Sequence, residues 1–347
     1  MALDSARLAA FSVVVLLASH LATAQAHEKD RIVYVDTGGI YLSNWDGSDK
    51  KALTTGGHVD TPTWSSDGQK ILYVRETPTG ETYTPYVGQK PVERYVANEL
   101  YIMNRDGSAP HMLRHLDGII RQAFWSPDGK NIGLIYRPKT WDKTRPYKNG
   151  TWGINGTLTG FFTLPADGQG EPTMVLEQAT EARWSPDSKK VLFAILSYPP
   201  GTGFVTHIAN ADGSKEMPLI DEKLFPYSAD ARWSPSGRQI VLSATRIHEE
   251  SGSRSFATGI YIMNADGSNV QPVFVDPAWD CQVPAWAPDG KNLALFCKTM
   301  PACETVARSQ GPSTDPCIMG LFTLSLDNSG AKPVKITEGS SPEVAPR

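Results

Sequence analysis

Cysteine is scarce in this 347-residue chain and confined to its last fifth, at Cys281, Cys297, Cys303 and Cys317. None of the four forms a Cys-x-x-Cys pair, which argues against a structural zinc site. Long apolar runs are also missing. The longest, Leu8 to Ala18, is too short to cross a bilayer, and nothing later could. Charge of one sign is absent as well: the net charge is −4 and is spread without long runs, so there is no footprint for nucleic acid or anionic lipid. Sequence signatures of catalysis are missing too. There is no Gly-x-Ser-x-Gly elbow, no His-Glu-x-x-His, and no glycine-rich phosphate loop between a strand and a helix.

The chain opens as an export signal. Arg7 precedes the short apolar run, and Ala24-Gln25-Ala26 offers a small-x-small cleavage site, so residues 1–26 read as a signal peptide and the mature chain as residues 27–347. A periplasmic or secreted location follows, and there an even cysteine count favours disulfides. If Trp286 pairs with Asn292, Cys281 falls opposite Cys297, and Cys303–Cys317 then ties off an insertion.

The dominant feature is repetition. Trp125-Ser126-Pro127-Asp128-Gly129 recurs at Trp64, Trp184, Trp233 and Trp286, each time followed by an apolar run such as Ile71-Leu72-Tyr73-Val74 or Ile240-Val241-Leu242. Proline presets φ, Asp tolerates the next position and Gly takes the exit, so each copy reads as strand, tight turn, strand. Continuous apolar runs suit strands covered on both faces. A second signal interleaves: apolar strands followed by Asp-Gly hairpin turns, as in Tyr101-Ile102-Met103-Asn104-Arg105-Asp106-Gly107 and Tyr261-Ile262-Met263-Asn264-Ala265-Asp266-Gly267. Asn44, Asn104, Asn210 and Asn264 recur there because each can cap the backbone of its own turn.

The hairpin turns number six and the Trp turns five. The first repeat starts late, at Arg31, and Pro342 to Arg347 supplies the strand it lacks. The pattern predicts an all-β, six-bladed β-propeller with four antiparallel strands per blade, closed by a C-terminal strand joining the N-terminal blade. Closure leaves only short, protected sheet edges.

The Trp-Ser-Pro-Asp-Gly turn with its Tyr-Ile-Met-Asn-x-Asp-Gly-Ser hairpin resembles the TolB-type propeller repeat, a WD40-like family. The resemblance covers nearly all of residues 31–347. It implies the propeller fold, a cell-envelope location and protein-binding activity. The α/β domain that precedes the propeller in TolB has no counterpart here, since Arg31 already begins the first blade.

Blade topology also says where function is built. Labelling strands A to D from the channel outward, the Trp turns join A to B and the Asp-Gly turns join C to D on one face. The B-to-C connections lie on the other. These are Asp36–Gly39, Glu76–Glu99, Pro138–Leu158, Ser197–Gly203, Arg246–Gly259 and Lys298–Gly320, so every long insertion shares a face. Long loops on one side of a rigid scaffold are where binding usually resides. They carry Tyr83, Tyr86, Arg94, Tyr95, Trp141, Lys143, Arg145, Tyr147, Trp152, His248, Glu249, Glu250 and Arg254, rich in the aromatic and arginine anchors of interfaces. The alternative is that they pin long loops to the rim.

An acidic set, Asp60, Glu181, Asp230, Asp280 and Glu343, begins the A strands, with Arg121, Arg183 and Arg232 nearby. It could hold a divalent cation or a basic peptide at the channel mouth; mutual pairing, Glu181 with Arg183 and Asp230 with Arg232, is the preferred reading. No other cofactor is expected. Asn149-Gly150-Thr151 and Asn155-Gly156-Thr157 are weak glycosylation sequons. The expected function is a monomeric binding or scaffold protein, with a protein or peptide partner, or a glycan, on the insertion face. The competing class is a polysaccharide lyase using His58, His115 and Arg121 there.

Overall fold

The computed structural model describes residues 31–56, 58–83, 92–139, 159–196, 203–250, 253–300, 318–327 and 330–346. Twenty-four strands form six four-stranded antiparallel sheets, and no helix occurs among the described residues. The second blade is ordered β4 (Val59–Trp64), β5 (Lys70–Tyr83), β6 (Val92–Asn104), β7 (His111–His115). The third is β8 (Gly118–Trp125) to β11 (Thr173–Leu176), the fourth β12 (Glu181–Trp184) to β15 (Met217–Pro218). The fifth is β16 (Tyr227–Trp233), β17 (Gln239–Glu250), β18 (Ser253–Asn264), β19 (Gln271–Phe274), and the sixth runs from β20 (Trp279–Trp286) and β21 (Asn292–Thr299) to β23 (Val334–Thr337).

The first blade joins the two ends of the ring. β24 (Ser340–Val344) is its inner strand, followed by β1 (Arg31–Asp36), β2 (Gly39–Asn44) and β3 (Lys51–Ala52). Ile32 pairs with Val344, and Ala345 donates its N–H to the Arg31 carbonyl. The closing strand therefore starts two residues before Pro342 and ends at Val344 rather than at Arg347.

The core is divided as a ring demands, with one apolar cluster at each junction between blades. Leu72, Leu100 and Ile102 meet Ile120, Leu134 and Phe162 between the second and third blades. Val241 and Ile260 meet Cys281, Trp286, Leu295 and Phe322 between the fifth and sixth. Ile32 and Tyr34 meet Ala285, Ala294 and Leu321 at the closure. Each B strand faces a different neighbour with alternate residues, which explains its continuous apolar run: Val241 packs toward the sixth blade and Leu242 toward the fourth.

The two repeated turns owe their sequences to side-chain bonds. In the Trp turns the serine is the pivot. Ser126 Oγ donates to Asp128 Oδ1 at 2.6 Å and accepts the Asn131 N–H at 2.9 Å, and Ser65 and Ser185 repeat the pattern. The hydroxyl bond, and next the backbone N–H two residues on, hold the carboxyls of Asp67, Asp128 and Asp187 below the usual range. In the hairpin turns the division of labour differs from the expectation. Asn264 Nδ2 donates to Ser268 Oγ at 2.9 Å, and it is Asp266 Oδ1 that accepts the Ser268 N–H. Asn44, Asn104 and Asn210 do the same, so these asparagines brace a side chain rather than cap backbone.

Two further expectations are corrected. The lengthened B-to-C connections of the second and fifth blades are not simple loops. There β5 and β6, and β17 and β18, continue as paired ribbons, with Thr77 opposite Val96 and Ile247 opposite Phe256. Trp286 pairs with Leu293, not Asn292. A bulge between Gln282 and Ala285 then shifts the register by one and sets Cys281 opposite Cys297, and the two form a disulfide. The expected outcome is reached by a different register.

Candidate functional site

The inner strands line the channel, and their backbone is unusual. Thr61, Asp230, Val283 and Ser341 have φ of 49, 56, 52 and 52°. For Thr61, Asp230 and Val283 this is three residues before the repeat tryptophan, and Ser341 stands three before Val344, the residue at the tryptophan position. This is left-handed backbone in residues that carry a Cβ, two of them β-branched, and such strain concentrates at functional sites. At Asp60–Thr63, Ala229–Arg232 and Gln282–Ala285 it coincides with a bulge that turns N–H groups sideways.

Neighbouring blades use those groups. Gln122 Oε1 accepts the Ala182 N–H at 3.1 Å, Glu181 Oε1 the Asp230 N–H at 2.5 Å, and Asp230 Oδ2 the Val283 N–H at 3.3 Å. A belt of side-chain-to-backbone bonds thus crosses three successive blade junctions. Glu181 and Asp230 are therefore tied around the ring. Among the described residues no ion pair joins either to its arginine. Instead Arg183 Nη1 donates to the Ala182 carbonyl and Arg232 Nη1 to the Ala231 carbonyl.

The carboxyl of Glu181 is pushed up to about 7, first by desolvation and next by the charge of Asp230. Arg183 is lowered to about 10 by desolvation, then by the guanidinium of Arg232. It also stacks over the Phe124 ring at 4.9 Å, and its Nε lacks a partner. The carboxyl of Asp60 is raised by desolvation from the surrounding chain, although the residue keeps an exposed face, against the Thr61 N–H that its Oδ1 accepts.

A cavity of about 560 Å³ opens at the tight-turn mouth. Turn prolines from five blades (Pro127, Pro186, Pro235, Pro288 and Pro346) ring it, with Trp184, Trp233 and Trp286 among its walls. Arg183, Arg232 and Glu343 also line it, directly before the tryptophan position in their strands. Glu343 therefore sits at the turn end of its inner strand, not at the insertion end. This mouth escaped the sequence analysis. Its signal was present in the repeat alignment, where the residue before Trp varies from Thr63 and Phe124 to Arg183, Arg232 and Ala285.

The other expected residues are scattered. Asp280 leaves the acidic set: it pairs with Lys298 at 3.2 Å and accepts from Gln282. His58 Nδ1 lies 3.5 Å from Glu76, and His115 Nδ1 lies 3.9 Å from Glu99. His58 borders the innermost strand of the second blade and His115 ends its outermost, so about 14 Å of sheet separates them at roughly 4.8 Å per strand. Arg121, on β8 of the next blade, is exposed. Among the described residues no group of three or more His, Cys, Asp or Glu could hold a metal ion. Tyr83, Arg94 and Tyr95 lie in the β5–β6 ribbon, but their side chains are outside the described set, as are those of His248, Glu249, Glu250 and Arg254. Tyr86, Trp141, Lys143, Arg145, Tyr147, Asn149, Trp152, Asn155, Cys303 and Cys317 are outside the described residues altogether.

No family model matches the chain, and no curated protein sequence matches it either. Solved structures do. TolB from Acinetobacter baumannii superposes with a TM-score of 0.57 at 19% identity, covering 92% of this chain and 67% of that one. A putative TolB from Agrobacterium tumefaciens gives 0.56 at 17%, covering 88% and 87%. An oligogalacturonate lyase from Vibrio parahaemolyticus gives 0.52 at 15%, covering 85% and 70%. The architecture is that of the TolB-like six-bladed propellers, and it is shared with an enzyme.

Proposed function

From a fold shared with TolB, we propose that this chain is an exported binding or scaffold propeller, delivered to the periplasm or secreted after cleavage near Ala26. A protein or peptide partner docks on the rim that carries the lengthened B-to-C connections. The observation that supports this reading is the pair of ribbons. β5–β6 and β17–β18 extend past the register of their inner strands, and both do so on the same rim. Paired strands present side chains at fixed spacing with less ordering cost on binding than free loops, which favours recognition.

The lyase reading is the weaker one. A general acid–base pair must reach the same substrate atoms, whereas His58 and His115 stand at opposite edges of one blade, each beside its own glutamate. The test is capture from an envelope or secreted extract with residues 27–347 as bait. The comparison bait replaces residues 78–95 with Asn-Gly, a turn that suits the remaining Thr77–Val96 pair. A polypeptide retained by the first bait and lost by the second supports the docking rim. Equal retention by both overturns it.

A further inference from the structure

Between the fifth and sixth blades, above the Cys281–Cys297 disulfide, lies a cavity of about 690 Å³. That is within the range of small-molecule sites. It opens at the insertion end of the blades, against the inner strands β16 and β20 that supply Tyr227 and Asp280, and away from the proline-ringed mouth.

Its walls divide by chemistry. One side is apolar: Trp279 and Met300 of the sixth blade, with Val275 and Pro277 from the crossing between the two blades. The Trp279 ring is held edge-on against Phe322 at 5.3 Å and Phe274 at 6.4 Å, yet stays partly exposed. The other side is a row of hydroxyls facing the sixth blade from alternate positions of β17 and β18. Thr245 and Thr258 hydroxyls share a hydrogen bond of 2.8 Å. Ser243, deeper in the same row, is 2% exposed, and its Oγ has no hydrogen-bond partner. An orphaned hydroxyl in a cavity wall is costly unless something entering the cavity satisfies it.

The charge around the cavity restricts the ligand. Asp276 and Asp280 are its charged lining groups. The Tyr227 hydroxyl is pushed up to about 12, first by desolvation and then by the carboxylates of Asp230, Glu181 and Asp280. Asp280 is offset by Lys298 at 3.2 Å, which leaves the carboxylate of Asp276 as the net charge of the lining, and the phenol stays a neutral donor. The lining offers an anionic ligand no cation.

We propose that this inter-blade cavity binds a neutral hexopyranose residue of a glycan. One ring face packs its C–H groups on Trp279, and its hydroxyls engage Ser243, Thr258 and Tyr227. An aromatic platform opposed by a hydroxyl row matches the two-sided character of a sugar ring, and a lining that carries the Asp276 carboxylate and no cation disfavours uronates. The disulfide clamps β20 to β21 directly beneath the platform and holds it in place. This site lies at the base of the β17–β18 ribbon, where Thr245, Ala257 and Thr258 line it, and its test is separable from the docking test, which alters only the β5–β6 ribbon.

The test is isothermal titration of residues 27–347 with cellotetraose, chitotetraose and mannotetraose, and with tetragalacturonate as the anionic counterpart. At least one neutral oligosaccharide binds and tetragalacturonate does not. Trp279→Ala weakens that binding by about tenfold, the loss expected for one aromatic contact. Since Trp279 also packs on Phe322, Ser243→Ala is the second variant. It removes the orphaned hydroxyl without adding volume, keeps the fold, and weakens binding while capture of a protein partner is unchanged. Absence of binding by all three neutral probes, binding of tetragalacturonate alone, or neutral binding unaltered in Ser243→Ala would each overturn the proposal.

Discussion

Replacing Gly267 with alanine tests the packing of one blade against the next. Gly267 sits in the hairpin turn of the fifth blade with φ of +85°, and a Cβ there would lie 2.1 Å from the Leu219 carbonyl oxygen on the fourth. That carbonyl cannot easily retreat, since the Leu219 N–H is bonded to Thr206. Gly290, in the Trp turn of the sixth blade, has φ of +69° but nothing within 4 Å of the same position. Both substitutions incur the left-handed backbone penalty, about 1 kcal/mol, and share the same entropic gain from stiffening the unfolded chain. Only Gly267→Ala adds an overlap with backbone, worth about 1–3 kcal/mol. With an unfolding entropy near 2.1 cal/mol/K per residue, a domain of roughly 300 residues gives about 0.6 kcal/mol/K. Gly267→Ala should therefore melt about 2–5 °C below Gly290→Ala in calorimetry. Equal melting temperatures would refute the claim that these glycines are required by the approach of neighbouring blades.

Other perturbations follow from the same contacts. The Cys281–Cys297 disulfide spans a sequence separation of 16, so replacing both with serine should destabilise by about 3 kcal/mol, read as a lowered denaturant midpoint. Glu181 is raised from 4.5 to about 7 by desolvation and Asp230. A carboxyl with a raised folded value favours the protonated folded state below about 4.5, and that advantage is lost as pH rises to 7. Glu181→Gln should thus raise the melting temperature more at pH 8 than at pH 5, and an equal shift at both would count against a strained carboxylate. Ser185→Ala removes a buried hydroxyl that bonds Asp187 and Lys190. It should cost about 1 kcal/mol in urea unfolding, whereas Ala287→Ser, at the position that lacks the hydroxyl, should cost nothing.

The ring was legible because its repeat is written in turn chemistry. Five tryptophan turns and the Asp-Gly hairpins define strand ends independently of propensity, and the late start at Arg31 predicts the closing strand. The disulfide was legible from spacing, although the Val283 bulge that produces its register was not. Bulges and left-handed residues at Thr61, Asp230 and Ser341 leave no trace in composition, because Thr, Asp and Ser are ordinary strand or turn residues. For the same reason the pairing of Glu181 with Arg183 failed. Spacing of two puts both on one face of a straight strand, but the turned backbone of the next blade supplies N–H groups that outcompete the guanidinium. The proline-ringed mouth was overlooked because each proline was explained by its turn alone, and only the ring brings five together.

Hydrogen exchange of the chain with and without its captured partner tests the docking rim most directly. A partner docked on the rim protects amides at the ribbon ends, Arg75–Thr82 and Thr245–Glu250, and leaves the Trp turns unchanged. Protection confined to the turns around Pro127, Pro186, Pro235 and Pro288 would place the partner at the opposite mouth and contradict it.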